Sequence, residues 1–150
     1  MASRDPAMIR YRKLGYVELN VTDVARSREF FEKLVGLEFV DEVADTEVLL
    51  RCDADHHSFV LHRAAAPGMK RVGWMLEDES QFETLHSRLD AYRVPHVSVT
   101  ADECERRQLR RATRIAEPNS GATFEFYLPA DGRPYAFTRS WPIFSVSDTR

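Results

Sequence analysis

Residues 16–23 read YVELNVTD, and residues 71–78, an offset of 55 with no gap, read RVGWMLED. Val17 falls on Val72, Leu19 on Trp74, Val21 on Leu76 and Asp23 on Asp78. In both copies apolar residues alternate and then meet an aspartate. Alternation with period 2 predicts a strand with one buried face. The aspartate predicts a helix N-cap, because its carboxylate can accept the first free backbone N–H groups.

A helical pattern follows each aspartate. Phe30, Phe31, Leu34 and Val35 recur at helical spacing and Gly36 ends the run; Phe82, Leu85 and Leu89 repeat the pattern before Pro95 forbids continuation. Leu34 falls on Leu89 at the same offset. Strands are then expected at 37–42, 46–52 and 57–63 in the first half, and at 96–99, 112–117 and 122–128 in the second. A short helix is expected in TADECERRQLRR, 100–111. The predicted class is α+β: two βαβββ modules related by pseudo-twofold symmetry, forming a curved mixed sheet around a cleft. The boundaries read as an N-terminal tail 1–11, a first module 12–63, a linker 64–69, a second module 70–129 and a C-terminal connector or tail 130–150. That last segment carries Tyr135, Phe137, Trp141, Ile143 and Phe144, too many large apolar groups for a solvated tail. They are expected to pack on this domain or on a partner.

Composition narrows the function. The 150 residues carry a net charge of -3, with 43% hydrophobic and 30% charged side chains, which is ordinary for a globular chain and argues against nucleic-acid binding. The densest basic stretch, ERRQLRR at 105–111, carries its own glutamate and reads as a solvated helix face. No apolar run approaches a membrane span, and the first residues lack the apolar core of a signal peptide. Cys52 and Cys104 stand far apart in no metal-binding spacing. A cytoplasmic protein with reduced thiols is expected.

The opening LGYVELNVTDVARSREFFEKLVGLEFV (14–40), DHHSFVLHR (55–63) and the close ATRIAEPNSGATFEFYLPADG (112–132) resemble the vicinal oxygen chelate superfamily, which holds glyoxalases, bleomycin-resistance proteins and dioxygenases. Within it, the chain is most similar to the N-terminal, non-metal domain of type I extradiol ring-cleavage dioxygenases. The resemblance implies a family of Fe(II)-dependent oxidoreductases that degrade catechol-type aromatic compounds. It also implies that iron sits in a C-terminal domain of the same fold, on two histidines and a glutamate. Carried onto this chain, those three slots hold Tyr16, Arg71 and Glu125. Arginine offers only donors, and a phenol is a poor divalent ligand unless ionised. The expectation is therefore a structural domain with no catalytic or metal residues and no cofactor, its Fe(II) confined to a missing C-terminal domain. Arg71 and Glu125 would pair inside the cleft with the Tyr16 hydroxyl beside them. Expected partners are that catalytic domain or another copy of the chain. The alternative is a stand-alone, metal-free protein that binds a small aromatic ligand in a cleft lined by Tyr16, His62, Arg71, Trp74 and Glu125. A third reading, a metal-dependent lyase or isomerase of glyoxalase type, is opposed by the missing histidines at 16 and 71.

The stretch RCDADHHSFVLHR, 51–63, competes with those slots as a metal site through Asp53, Asp55, His56 and His57. Neighbours on an extended strand point to opposite faces, so both histidines cannot reach one ion. Asp-Ala-Asp also reads as a turn. By strand parity His62 faces away from His57, which leaves open whether His62 lines the concave side of the sheet. His86 reads as a boundary residue and His96 as an exposed one.

Overall fold

The computed structural model describes residues 8–130. The expected packing of Tyr135, Phe137, Trp141, Ile143 and Phe144 falls outside the described residues. Strand β1 (Tyr11–Val21) leads into helix α1 (Val24–Glu29), which continues in π-helical hydrogen bonding over Phe30–Val35. Strands β2 (Glu38–Val43), β3 (Glu47–Arg51) and β4 (Phe59–Arg63) complete the first module. The second follows with β5 (Gly68–Leu76), α2 (Ser80–Ala91), β6 (Val97–Ser98), α3 (Ala101–Arg106), β7 (Leu109–Ala116) and β8 (Thr123–Pro129).

All eight strands form one mixed sheet in the order β2-β3-β4-β1-β5-β8-β7-β6. The order matches module positions from either edge inward, as a pseudo-twofold between β1 and β5 requires. Those two strands pair antiparallel, while β1–β4 and β5–β8 pair parallel.

Local signals explain the element ends. The Asp23 carboxylate accepts from Arg26 N at 3.0 Å, the expected cap. Asp78 caps from one position further out, accepting Ser80 N at 3.0 Å. Gly36 sits at φ 85°, in the left-handed region that closes a helix at little steric cost. Thr100 caps α3 through Glu103 N at 3.3 Å.

Apolar residues on the helix-bearing face make one core per module. Val24, Leu37, Val48, Leu50 and Leu61 form the first; Leu76, Phe82, Leu85, Leu89, Phe126 and Leu128 form the second. Each such buried side chain contributes roughly 1.5–3 kcal/mol. A third cluster lies on the opposite face, where α3 brings Cys104 against Tyr16, Met75, Leu109, Ala112 and Tyr127.

Four expectations need correction. The apolar run of the first helix does not pack inward: Phe30 is 50% exposed, Leu34 74% and Val35 46%. Of its four apolar residues only Phe31 turns in, meeting Phe59 at 5.3 Å between ring centroids. A switch from i→i+4 to i→i+5 bonding changes which residues share a face, so a 3.6-residue template misplaces them. The linker is shorter than 64–69, because Gly68 and Met69 already belong to β5. Tyr11, assigned to the tail, opens β1. The helix of 100–111 stops at Arg106, where Gln108 at φ 57° turns the chain into β7. Among the described residues, no helix is long and apolar enough to cross a membrane.

Candidate functional site

On β1, Tyr16 and Glu18 share the face opposite Val17 and Leu19, the face that α3 covers. Tyr16 is 2% exposed and Glu18 0%. Register then assembles the rest. Glu18 lies across from Arg71 on β5, Tyr16 across from Gly73, and Gly73 across from Glu125 on β8. Gly73 is required there, since a Cβ would come within 2.4 Å of the Tyr16 ring. His62 arrives from β4 beside Asn20, and Glu47 from β3 beside His62.

These side chains form a closed charge network. The Tyr16 hydroxyl donates to Glu125 Oε1, and Arg114 Nε to Glu125 Oε2. Arg71 Nη1 lies 3.5 Å from Glu125 Oε2, and Arg71 Nε lies 3.3 Å from Glu18 Oε2. Glu18 Oε1 accepts Arg107 Nη1 at 2.7 Å and meets His62 Nε2 at 2.7 Å. Arg107 also reaches Glu47 at 3.4 Å. The second ring nitrogen of His62 stands 3.6 Å from Glu47. Both ring nitrogens thus face carboxylates. Around the ring, Arg71, Arg107 and Arg114 interleave with Glu18, Glu47, Glu103 and Glu125.

Protonation follows from those contacts. Burial raises the Glu18 carboxyl, but the His62 hydrogen bond and the charges of Arg107 and Arg71 outweigh it and hold it at about 2. Tyr16 moves the other way. Burial first, then the Glu125 charge and hydrogen bond, push its phenol well above the ordinary value. It is therefore a neutral donor.

The network answers whether a facial iron triad fits these slots, and it does not. Arg71 has no lone pair to offer, Tyr16 keeps its proton, and Glu125 is engaged on both oxygens. The structure brings Tyr16, Arg71, Glu125 and His62 into this network. Trp74, expected in the cleft, lies instead on the helix-bearing face, 6.0 Å from Phe124 and packed on the second core. The expectation for ERRQLRR is also corrected: Arg107 is 2% exposed and is the network's central cation. Glu18, Glu47, Glu103, Arg107 and Arg114 were not foreseen as site residues. The sequence signal for Glu18 was present, since it shares strand parity with Tyr16. That face reads as solvent until α3 is known to cover it.

The 51–63 stretch resolves into the end of β3, a loop at 52–58 and β4. Asp53 and Asp55 both pair with Lys13, and the Asp53 carboxylate accepts Asp55 N at 2.9 Å in a turn. His57 precedes the strand, so strand parity does not govern it. It is 4% exposed and its ring meets Tyr16 at 4.6 Å, on the cleft side with His62 rather than away from it. Burial, with His56 and Arg107 nearby, lowers its pKa to about 3 and keeps it neutral. His86 is a half-buried boundary residue bonded to Thr113 at 2.9 Å, and His96 is half-buried against it, with ring centroids 5.1 Å apart.

Beside Tyr16 opens a cavity of about 690 Å³. Tyr16, His57, Tyr127, Met75, Leu109 and Leu128 line its inner part. Tyr16 and Tyr127 stand 4.7 Å apart between ring centroids. Arg12, Lys13 and Arg110 line it too, along with Asp55, Glu77, Asp78 and Glu79.

Comparison with known proteins follows the same lines. Residues 13–126 match the Glyoxalase/Bleomycin resistance protein/Dioxygenase superfamily. The chain is 29% identical over 122 residues to a biphenyl-2,3-diol 1,2-dioxygenase of Sphingomonas paucimobilis, covering 81% of this chain and 41% of that protein. It is 29% identical over 133 residues to a 1,2-dihydroxynaphthalene dioxygenase of Sphingobium xenophagum, covering 88% of this chain and 44% of that one. Among solved structures, a catechol 2,3-dioxygenase shares the fold with a TM-score of 0.75 at 23% identity, over 91% of this chain and 46% of that chain. The chain thus spans less than half the length of these relatives.

Proposed function

The chain belongs to the Glyoxalase/Bleomycin resistance protein/Dioxygenase superfamily, and from that membership we propose that it is the structural, N-terminal type of domain of an extradiol ring-cleaving dioxygenase. The observation that carries this reading is the filling of the cleft. Where the family's catalytic copy would hold iron with two histidines and a glutamate, this copy places Tyr16, Arg71 and Glu125 in one buried ion network. The coverage of the relatives supports the same reading, with a second domain of similar size supplying Fe(II), substrate contacts and turnover.

In this role the cleft residues exclude water and fix the relative position of the two modules. They neither bind oxygen nor move a proton to substrate. The test is metal analysis of the purified chain, paired with turnover assays on catechol and 2,3-dihydroxybiphenyl. The expected result is metal far below one equivalent and no ring cleavage, before and after anaerobic Fe(II) loading. Stoichiometric iron, manganese or zinc, with cleavage of either diol, would overturn the proposal.

A further inference from the structure

The cavity beside Tyr16 shares only that residue with the ion network, and its charges are unevenly used. Each of its acids touches a cation, with Arg10 and Lys13 each shared between two carboxylates. Asp55 pairs with Lys13, Glu77 with Arg10 and Glu79 with Arg111, while Asp78 accepts from Ser80 and lies 4.0 Å from Arg10. Two of its three cations have no carboxylate partner among the described residues. Arg12 donates only to the backbone oxygen of Glu77, at 3.1 Å, and Arg110 is exposed at the start of β7. Arg12 and Arg110 are thus the lining cations that no carboxylate among the described residues engages, and a guanidinium suits the planar geometry of a carboxylate.

The inner wall differs in kind. Tyr16, Tyr127 and His57 present three rings, with Leu109 and Leu128 around them. His57 is almost fully buried, and its Nε2 has no hydrogen-bond partner, an unmet polar group in an aromatic wall. Gly15 makes room for this arrangement, since a Cβ there would lie 1.7 Å from the Tyr127 hydroxyl. A volume of about 690 Å³ falls within the roughly 300–1,000 Å³ of small-molecule sites.

We propose that this cavity binds a small aromatic carboxylate, its ring against Tyr16, Tyr127 and His57 and its anionic group on Arg12 and Arg110. The site is built from this chain alone and does not rest on the structural role proposed above. Neutral aromatics lack the partner that the two arginines require, and aliphatic acids lack the surface that the rings offer.

The test uses the full chain and 2-naphthoate as probe, by calorimetric titration and by amide chemical-shift mapping. Two comparison probes divide the contributions: 2-naphthamide keeps the rings without the charge, and acetate keeps the charge without the rings. Saturable one-to-one binding of 2-naphthoate is expected, with shifts at Arg12, Lys13, His57 and Arg110. Both comparison probes should bind at least about tenfold more weakly, and Arg12→Gln and Arg110→Gln should each weaken 2-naphthoate by about tenfold, the scale of one charge-assisted hydrogen bond. Both side chains are exposed, so their melting temperatures should match the parent, and Arg63→Gln, at the end of β4, should leave affinity unchanged. The proposal is overturned by any of three results: no saturation with 2-naphthoate, equal binding of the amide, or unaltered binding in both arginine variants. Metal content and diol turnover read the cleft and not this cavity, so either proposal can fail without the other.

Discussion

Glu18 and His57 show how two buried ionisable groups on one face are held in opposite charge states by what touches them. Glu18 stays ionised because His62, Arg107 and Arg71 surround it, and His57 stays neutral because burial, His56 and Arg107 all oppose a second proton. Both consequences for stability have the same sign. Unfolded, His57 takes up a proton near its ordinary 6.5, but the folded chain resists until about 3. Stability is therefore lost as pH falls from about 6.5 toward 3. Folded Glu18, at about 2, resists protonation that the unfolded chain accepts near 4.5, so a second loss begins below that value. Urea denaturation should show a falling midpoint between pH 6.5 and 4.5 and a steeper fall below. His57→Asn should flatten the upper part and leave the Glu18 loss below 4.5. Equal midpoints at pH 6.5 and 4.5 in the parent chain would refute this account. None of it was legible residue by residue. Glu18 stands in an alternating strand where a polar residue reads as solvent-facing, and His57 stands two residues before β4, too early for strand parity to apply. What the sequence did carry was the Tyr16, Arg71 and Glu125 grouping: the internal repeat aligns Tyr16 with Arg71, and the family resemblance implies Glu125 as the third slot.

The two long helical segments are equivalent in the repeat but not in packing. Leu85 and Leu89 on α2 are 2% and 7% exposed, whereas Phe30 and Leu34, at the same offset, are 50% and 74% exposed. Apolar spacing alone cannot separate these cases, because the same letters suit a core face and an uncovered one. The difference lies in backbone hydrogen bonding, which tightly caps α1 at Asp23 and then widens from Phe30 to the Gly36 turn. The energetic expectation follows from burial. Leu89→Ala removes a packed side chain and should cost about 2–5 kcal/mol, while Leu34→Ala should stay within about 0.5 kcal/mol. Chemical denaturation of the two variants side by side checks it, and comparable losses would mean that Leu34 is covered in solution. The α3 segment teaches a related point. A run rich in arginine and glutamate reads as solvated, yet its last turn delivers Arg107 inward because Cys104 and Leu109 anchor either side of it in the cleft-face cluster.

At the scale of the molecule, the palindromic strand order was readable from one repeat, since two half-covered βαβββ units can complete a sheet only by joining edge to edge. What was not readable is how that joint is locked. The β1–β5 ladder supplies the backbone bonds, and the charge network crosses the same boundary. Glu18, Glu47 and His62 come from the first module, and Arg71, Arg107 and Glu125 from the second. Arg107 ties Glu18 on β1 to Glu47 on β3 from beyond the joint. Removing it leaves two buried carboxylates short of a cation, a change that costs roughly 3–5 kcal/mol in comparable sites. Arg107→Ala should therefore lower the urea midpoint strongly, while Arg106→Ala, one residue earlier and exposed, should shift stability by no more than about 0.5 kcal/mol. The location of the damage is the sharper readout. If the network couples the modules, amide hydrogen exchange in Arg107→Ala should accelerate in β3 and β4 of the first module as much as in β7 and β8 of the second. Acceleration confined to β7 and β8 would show that the modules hold their stability separately. The joint would then rest on the β1–β5 ladder alone, with the buried charges serving only the half from which each is contributed.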